Sequence, residues 1–376
     1  MPYLGNFVRP RVALDGTKSG FMTISNRNVI INGAMQVAQR STSVAAIGAT
    51  NGVFTADRFK HYFGDASAGR LTQSQASITD LAGFANALKL DCTTADTSIA
   101  SGEVLTIGQD FEGQDLQRFK KGHATAESFT LSFYVKGTAK TYAVELLDLD
   151  NTRHVTATFN VTTSWNRIEL TFPADTTGKF DDDNANSMHL MIWLHAGTDY
   201  TSGSAATAWA SKTNANRAVG CQSFFDSTSN ELYITGVQFE VGTVATPYEH
   251  KSYGEELARC QRYYEVFDGG LDVLTGAAET SMFMPGRVLS SNRADAQFPL
   301  KVSKRATPSA SISNFYNWIV KDSAGGSTTL DGNQTYAVVQ TTSNIAGLRT
   351  TGGGTLSNLN VAVIQIIANI AFDAEL

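Results

Sequence analysis

The stretch Ser128-Phe129-Thr130-Leu131-Ser132-Phe133-Tyr134-Val135-Lys136 alternates apolar and polar residues without a break. Phe129, Leu131, Phe133 and Val135 fall on one face of an extended chain; Thr130, Ser132, Tyr134 and Lys136 fall on the other. A period of two marks a half-buried antiparallel strand, because successive side chains point to opposite sides of the pleat. Arg167-Ile168-Glu169-Leu170-Thr171-Phe172 repeats the pattern until Pro173, which cannot donate to a ladder, stops it. From Glu231 to Val241 the parity switches once. Leu232 and Ile234 share one phase, Val237, Phe239 and Val241 the other, and Gly236 stands at the switch, where a β-bulge is expected. Strands of this kind predict an all-β protein with a two-sheet jelly roll over residues 26–250.

Composition agrees. Charged residues are 17% of the 376, glycine is abundant at 32, and small polar residues fill much of the rest. That balance suits strands and tight turns, and also surfaces covered by identical neighbours, which are depleted in charge. The net charge is −6 and no Lys/Arg-rich run occurs, so a nucleic-acid partner is not expected. No apolar stretch reaches the roughly 18 residues of a membrane span, and Met1-Pro2-Tyr3-Leu4-Gly5-Asn6 lacks the basic and apolar regions of a signal peptide. Cys92, Cys221 and Cys260 lie far apart without metal spacing and read as buried free thiols of a protein assembled in a reducing cytoplasm.

Residues 1–25, punctuated by Gly5, Pro10, Gly16 and Gly20, read as an extended arm that orders against a partner. Residues 251–265 read as a linker helix. Ser252 and Glu255 fit a capping box, acids sit early, Arg259 and Arg262 sit late, and Leu257, Cys260 and Tyr264 follow at helical spacing. Residues 266–376 return to β structure and are expected to form a second sandwich, a tip domain. Its long strand Asn360–Phe372 is apolar on both faces: Ala362, Ile364, Ile366, Ala368, Ile370 and Phe372 on one, Val361, Val363 and Ile367 among the other. Such a ribbon must be covered twice, once by its own domain and once by a symmetric neighbour.

Two groups of residues resemble a known family. Asn32-Gly33-Ala34-Met35-Gln36-Val37-Ala38-Gln39-Arg40 followed by Thr55-Ala56-Asp57-Arg58-Phe59 resembles the opening of a jelly-roll module common in fibre proteins of tailed phages. Thr235–Gly242, Ala245–Glu249 and Glu256–Tyr264 resemble its end, in the same order, and Phe298-Pro299-Leu300, Arg305–Pro308 and Phe372–Leu376 are similar to fibre tips. That module looks like the carbohydrate-binding jelly rolls. The resemblance implies a homotrimer located in the virion, an N-terminal arm that contacts other virion proteins, with Tyr3, Leu4, Gly5 and Asn6 similar to short docking arms, and a host-facing end that binds a surface glycan or protein.

Candidate site residues follow from the strand parities. His189, Met191, Trp193 and His195 share one face, opposite the core-like Met188, Leu190, Ile192 and Leu194; Trp193 offers a ring for stacking on sugars and the histidines offer hydrogen bonds. The alternative is that Trp193 and Met191 pack beneath a loop. Tyr134 and Tyr142 are further groove candidates, and Asn314, Tyr316 and Trp318 form a possible contact patch on one strand face. Gly-rich segments Ser323–Ser327 and Thr350–Gly354 are candidate contact loops. Asp181, Asp182 and Asp183 are oxygen ligands of the type calcium takes, but EF-hand spacing is absent, with Ser187 and Trp193 at positions six and twelve from Asp182; a solvated acidic turn fits better, and no cofactor is expected. No GxSxG, HExxH, P-loop or clean GxGxxG occurs, and no coil repeat of a depolymerase β-helix. The expectation is a non-enzymatic tail fibre; the alternatives are a capsid-attached head fibre or decoration protein, and a surface-polysaccharide depolymerase.

Overall fold

Phe129–Gly137 forms the strand that its alternation predicts, and Phe129, Leu131, Phe133 and Val135 are completely buried. The computed structural model describes residues 26–65, 67–268, 282–290, 293–321, 327–330, 335–351 and 361–376. The expected arm, including Tyr3, Leu4, Gly5 and Asn6, and most of both Gly-rich segments lie outside the described residues.

In chain order the strands begin with β1 (Ser43–Ile47), β2 (Gly52–Val53), β3 (Lys60–Gly64), β4 (Arg70–Ser77), β5 (Asn86–Thr94) and β6 (Val104–Glu112). They continue with β7 (Phe129–Gly137), β8 (Lys140–Asp148), β9 (Arg153–Val161), β10 (Asn166–Phe172), β11 (Asn186–Ala196), β12 (Ala210–Ser211) and β13 (Glu231–Val241). One sheet runs β1-β4-β5-β13-β7-β10 and the other β12-β9-β8-β11-β6-β3-β2. Neighbours in each sheet are mostly distant in sequence and the pairs are antiparallel, so the chain crosses repeatedly between two facing sheets, as in a jelly roll. The inner faces interlock through aromatic rings. Phe133 from the six-stranded sheet meets Phe159 from the seven-stranded sheet edge-on at 5.1 Å, and Phe129 sits 4.3 Å from Phe119 and 5.8 Å from Phe239. Fully burying each such side chain stabilises the fold by roughly 1.5–3 kcal/mol. The predicted bulge in β13 is present: the register against β7 shifts between Thr235 and Gln238, and Gly236 has φ +62°.

A polar pair crosses this core. His61 on β3 lies 2.6 Å from the Gln73 side chain on β4, and both are wholly buried. Burial pushes the imidazole down to about 4, partly opposed by the hydrogen bond its Nε2–H donates to the Gln73 side-chain oxygen.

The remaining strands are β14 (Tyr264–Asp268), β15 (Met282–Ser290), β16 (Arg293–Pro299), β17 (Ser309–Lys321), β18 (Ser327–Leu330), β19 (Thr335–Thr341), β20 (Ile345–Thr351) and β21 (Val361–Asp373). Where the sequence suggests a second sandwich, they form one eight-stranded sheet. The reason is the length of β21, which pairs with β17 along one side and with β15 and then β14 along the other, so every strand joins a single ladder. Phe267, Phe298 and Phe372 pack mutually with ring centroids 5.5–5.7 Å apart. The two-sided apolar face expected of Asn360–Phe372 rests largely on side chains at 361–369, which lie outside the described residues.

The blocks that carry the family resemblance meet at one junction between the jelly roll and the last sheet. Asn32, in the left-handed region at φ +61°, donates its side-chain amide to the carbonyls of Val37 and Asp57 and its backbone N–H to Glu256 of the helix Tyr253–Gln261. Gly33 is required because a Cβ there would stand 2.1 Å from the Val237 carbonyl oxygen. Arg58 pairs with Glu375, donates to the Asp110 carbonyl at 2.6 Å and stacks 3.5 Å over Tyr263. Arg40 repeats the arrangement, 3.5 Å over Tyr264 and 3.2 Å from Asp373. Glu112, fully buried, accepts from Arg262 at 2.6 and 2.8 Å and from the Tyr263 hydroxyl at 2.5 Å. Burial alone would raise this carboxyl, but the bonds from Arg262 and Tyr263 outweigh it and hold it below its ordinary value. The helix is therefore pinned. Ser252 caps it by accepting from the Glu255 N–H at 3.3 Å, while the Glu255 carboxylate faces Lys251 at 3.4 Å and so leaves the capping box half-formed. Cys260 and Tyr263 face Ile31 and Val37, so Tyr263, not Tyr264, completes the apolar side, and Tyr264 opens β14.

Removing one member of a buried ion pair strands the other in low dielectric, which costs about 3–5 kcal/mol. Arg58→Met is expected to lose about that much in urea denaturation, and Arg58→Met with Glu375→Gln to lose less than the sum of the two single changes. Additive losses would show that the junction is not coupled. The pH dependence separates two buried groups. The unfolded chain protonates His61 near 6.5 while the fold refuses the proton until about 4, so acidification through that window removes up to about 1.4 kcal/mol per pH unit. Asp57 acts oppositely: burial raises its carboxyl to about 6, so the fold gains stability between about 6 and 4 as it keeps the proton. In denaturation series over that range, His61→Gln should flatten the acid loss relative to wild type, and Asp57→Asn should steepen it.

Candidate functional site

The outer face of the six-stranded sheet carries the polar parity of its strands. Tyr233 on β13 sits between Lys89 on β5 and Lys136 on β7, its register partners on either side. Trp165, one residue before β10, continues the row beyond Lys136, since Asn166 pairs with Val135. The Lys136 ammonium stands 4.8 Å from the Tyr233 ring centre and 5.0 Å from that of Trp165, and Lys89 lies 5.3 Å from Tyr233. The row Lys89–Tyr233–Lys136–Trp165 thus alternates cation and ring across three strands and the start of β10, each ring half-buried and held by a charge over its face. Asp91 and Glu231 hold Lys89 from the sides, and Asp80 pairs with Lys136, whose hydrogen bond holds that carboxyl below its ordinary value. The Trp165 indole N–H points toward Asp80 without normal hydrogen-bond geometry.

A second row follows. Thr235 pairs with Tyr134, which pairs with Arg167, whose guanidinium lies 6.0 Å from the Tyr134 ring. Phe84 from the β4–β5 turn lies 5.2 Å from Tyr134, 5.2 Å from Tyr248 and 5.3 Å from His250. Gly236 makes this possible: a Cβ there would come within 2.7 Å of Phe84 and 2.9 Å of Tyr134. Two rows of half-buried rings on a rigid sheet, edged with charges and amides, present flat apolar faces beside hydrogen-bonding groups. That combination matches the two-sided character of sugar rings, apolar on their C–H faces and polar at their hydroxyls.

The groove predicted on β11 is differently arranged. Met188, Leu190, Ile192 and Leu194 enter the main core as expected, but Trp193 is 1% exposed. The segment after β11 covers it: Tyr200 lies 5.3 Å away, Arg217 4.9 Å over the ring, and the indole donates to Glu145 at 3.1 Å. The loop-packed alternative therefore describes Trp193 and Met191, and no ring face is left open to a ligand. His195 is wholly buried between Glu103 at 2.9 Å and the Ser223 hydroxyl at 2.7 Å. This Ser–His–Glu chain joins elements, since Ser223 also accepts from the Phe225 N–H at 3.0 Å and caps a short turn. His189 is half-buried against Asp110. Tyr142 is a core residue at 1% exposure, and Tyr134 alone of the groove candidates belongs to the outer aromatic face. Asn314, Tyr316 and Trp318 lie on β17, but their side chains lie outside the described residues.

Asp181, Asp182 and Asp183 form an exposed turn. The oxygen-rich cage nearby is centred on Lys121, whose ammonium lies 2.5 Å from Asp148, 3.1 Å from Asp175, 3.1 Å from the Thr177 carbonyl and 3.0 Å from that of Gly178. A tethered cation thus supplies the charge these oxygens need. Among the described residues no group of three or more His, Cys, Asp or Glu is placed to hold a metal. Burial pushes the Cys92 thiol up to about 11 and that of Cys221 to about 12, the reverse of an activated nucleophile.

No family model and no curated protein matches this chain. Among solved structures it is similar to the enzymatically active domain of tailspike protein 4 of bacteriophage CBA120, at 13% identity and a TM-score of 0.30, over 57% of this chain and 21% of that one. It is also similar to a CBM4 module at 13% identity and a TM-score of 0.28, covering 56% and 97% of the two chains. A third is TmCBM61, in complex with β-1,4-galactotriose, at 9% identity and a TM-score of 0.28, covering 58% and 99%. The chain spans about a fifth of the tailspike domain's length.

Trp193 and Trp165 are expected to respond oppositely to truncation. Trp193→Ala removes a buried ring and should cost about 3–5 kcal/mol in chemical denaturation, whereas Trp165→Ala should change stability by less than about 1 kcal/mol. Equal losses would mean that the outer row is a structural ladder.

Proposed function

We propose that this chain is a non-catalytic structural protein of a tailed-phage virion, a homotrimeric tail fibre that binds a glycan on the host surface. The observation that carries the reading is the aromatic face of the six-stranded sheet, with Trp165, Tyr233 and Tyr134 set by strand register and steadied by Lys136, Lys89 and Arg167. Stacking on such rings needs no bond-making, and a single sugar would bind weakly. Three copies held together multiply weak contacts through effective concentration, so a trimer suits this kind of surface. The apolar phases of Asn360–Phe372 supply a reason for copies to associate, and residues 1–25 supply a segment to attach them to other virion proteins.

Purified full-length chain on a glycan array is expected to bind a restricted set of surface polysaccharides. Trp165→Ala and Tyr233→Ala should each weaken the leading interaction roughly ten-fold, about 1.4 kcal/mol. Light scattering should return three times the chain mass of 40.4 kDa. A monomer at micromolar concentration, or unchanged binding by both variants, would sink the proposal; shortening of the polymer on incubation would sink its non-catalytic part.

A further inference from the structure

A cleft of about 340 Å³ opens between the turn that follows β6 and the segment that precedes β11, on a different part of the molecule from the aromatic rows. Its apolar side is formed by Leu116 and Phe180, both buried. Its rim carries Lys120, Lys179, His123 and Thr125, all exposed. Among the described residues no carboxylate lines it. On a chain with a net charge of −6, a cavity lined by cations and lacking acids runs against the overall composition.

The cleft is built before any ligand arrives. The two loops that wall it touch through glycine backbones: a Cβ on Gly122, at φ +75°, would come within 2.6 Å of the Gly178 carbonyl carbon. The Lys121 ammonium then ties the loops together through Asp148, Asp175 and the carbonyls of Thr177 and Gly178. Gln117 adds a third tie, donating to the carbonyls of Gly113, Phe180 and Asp181 at 3.0, 3.3 and 3.1 Å. A fixed wall of this kind spares a ligand the cost of ordering loops.

The charges then narrow the choice of ligand. Lys121 is neutralised by its two aspartates and is unavailable. Lys120 pairs with Glu127 at 2.7 Å, but that pair is exposed and therefore weak. Lys179 faces no carboxylate among the described residues within ion-pair distance. One uncompensated ammonium, assisted by a second that can be recruited, fits a single negative charge. The volume is at the low end of the roughly 300–1,000 Å³ of small-molecule sites, enough for a single ring and its substituents.

We infer that this cleft binds a monoanionic sugar unit, a hexose ring bearing one carboxylate. Lys179 and Lys120 take the carboxylate, and His123 and Thr125, bonded to each other at 2.9 Å, offer their remaining polar atoms to ring hydroxyls. The saccharide half of this assignment rests on the glycan-binding role proposed above, while the anionic half rests on the cleft alone.

The test uses the full chain with D-glucuronate, D-glucose and acetate as probes, read by saturation-transfer NMR and calorimetry. Glucuronate should bind about ten-fold or more tightly than either glucose or acetate. Lys179→Glu, at an exposed position, should weaken glucuronate by about ten-fold or more. Equal binding of glucose would overturn the charge assignment, equal binding of acetate the saccharide assignment, and an unaffected Lys179→Glu the location. Uptake of glucuronate that depends on Lys179, in a protein that binds no polysaccharide on the array, would uphold the cleft while defeating the adhesion reading.

Discussion

The structure depends on a cluster of buried charges that joins the jelly roll to everything after it. Arg58, Glu375, Glu112, Arg262 and Tyr263 meet where the outer side of the seven-stranded sheet receives the linker helix and the final residues of the chain. Withdrawing these groups from water is costly, and the cost is recovered only when every partner is in place. The junction therefore tolerates one arrangement of helix, β14 and the 373–376 segment. A hydrophobic seam of equal area would permit sliding; a network of bidentate and stacked contacts does not.

This constraint assigns the two sheets of the jelly roll different work. The seven-stranded sheet has both faces occupied, the inner by the core and the outer by the junction at one end and the Trp193 cover at the other. The six-stranded sheet is covered at one end of its outer face by residues 242–249, which bury Thr130, Ser132, Gln238 and Glu240, and at the other end the aromatic and cationic side chains alternate across the strands. The exposed aromatic row is left on the part of the sheet that packing does not need. The same economy governs Lys121, which fills an oxygen cage from within and so makes the loops around it rigid.

Much of this was legible in the residue pattern. The parity of Phe129 to Val135 placed Tyr134 and Lys136 outward, and the parity switch at Gly236 announced the bulge. Ser252 marked the helix start. The same parity argument misled at Trp193, because alternation reports which face a side chain takes and is silent on whether the following segment, here through Tyr200 and Arg217, returns to cover that face. Trp165 escaped notice for a related reason: it lies in a turn one residue ahead of its strand, where no periodic signal applies, and only pairing of β10 with β7 sets it beside Lys136.

The sequence by itself determined the strands, their inward faces and the all-β class, because a two-residue period is a local property written in adjacent side chains. It also marked the residues that meet at the junction without revealing that they meet. Tertiary structure alone decided which part of a sheet face stays open, that the strands after residue 263 join one sheet, and that Lys121 sits among oxygens from two separate segments. Those outcomes depend on contacts between residues tens to hundreds of positions apart, and no local periodicity encodes such a contact.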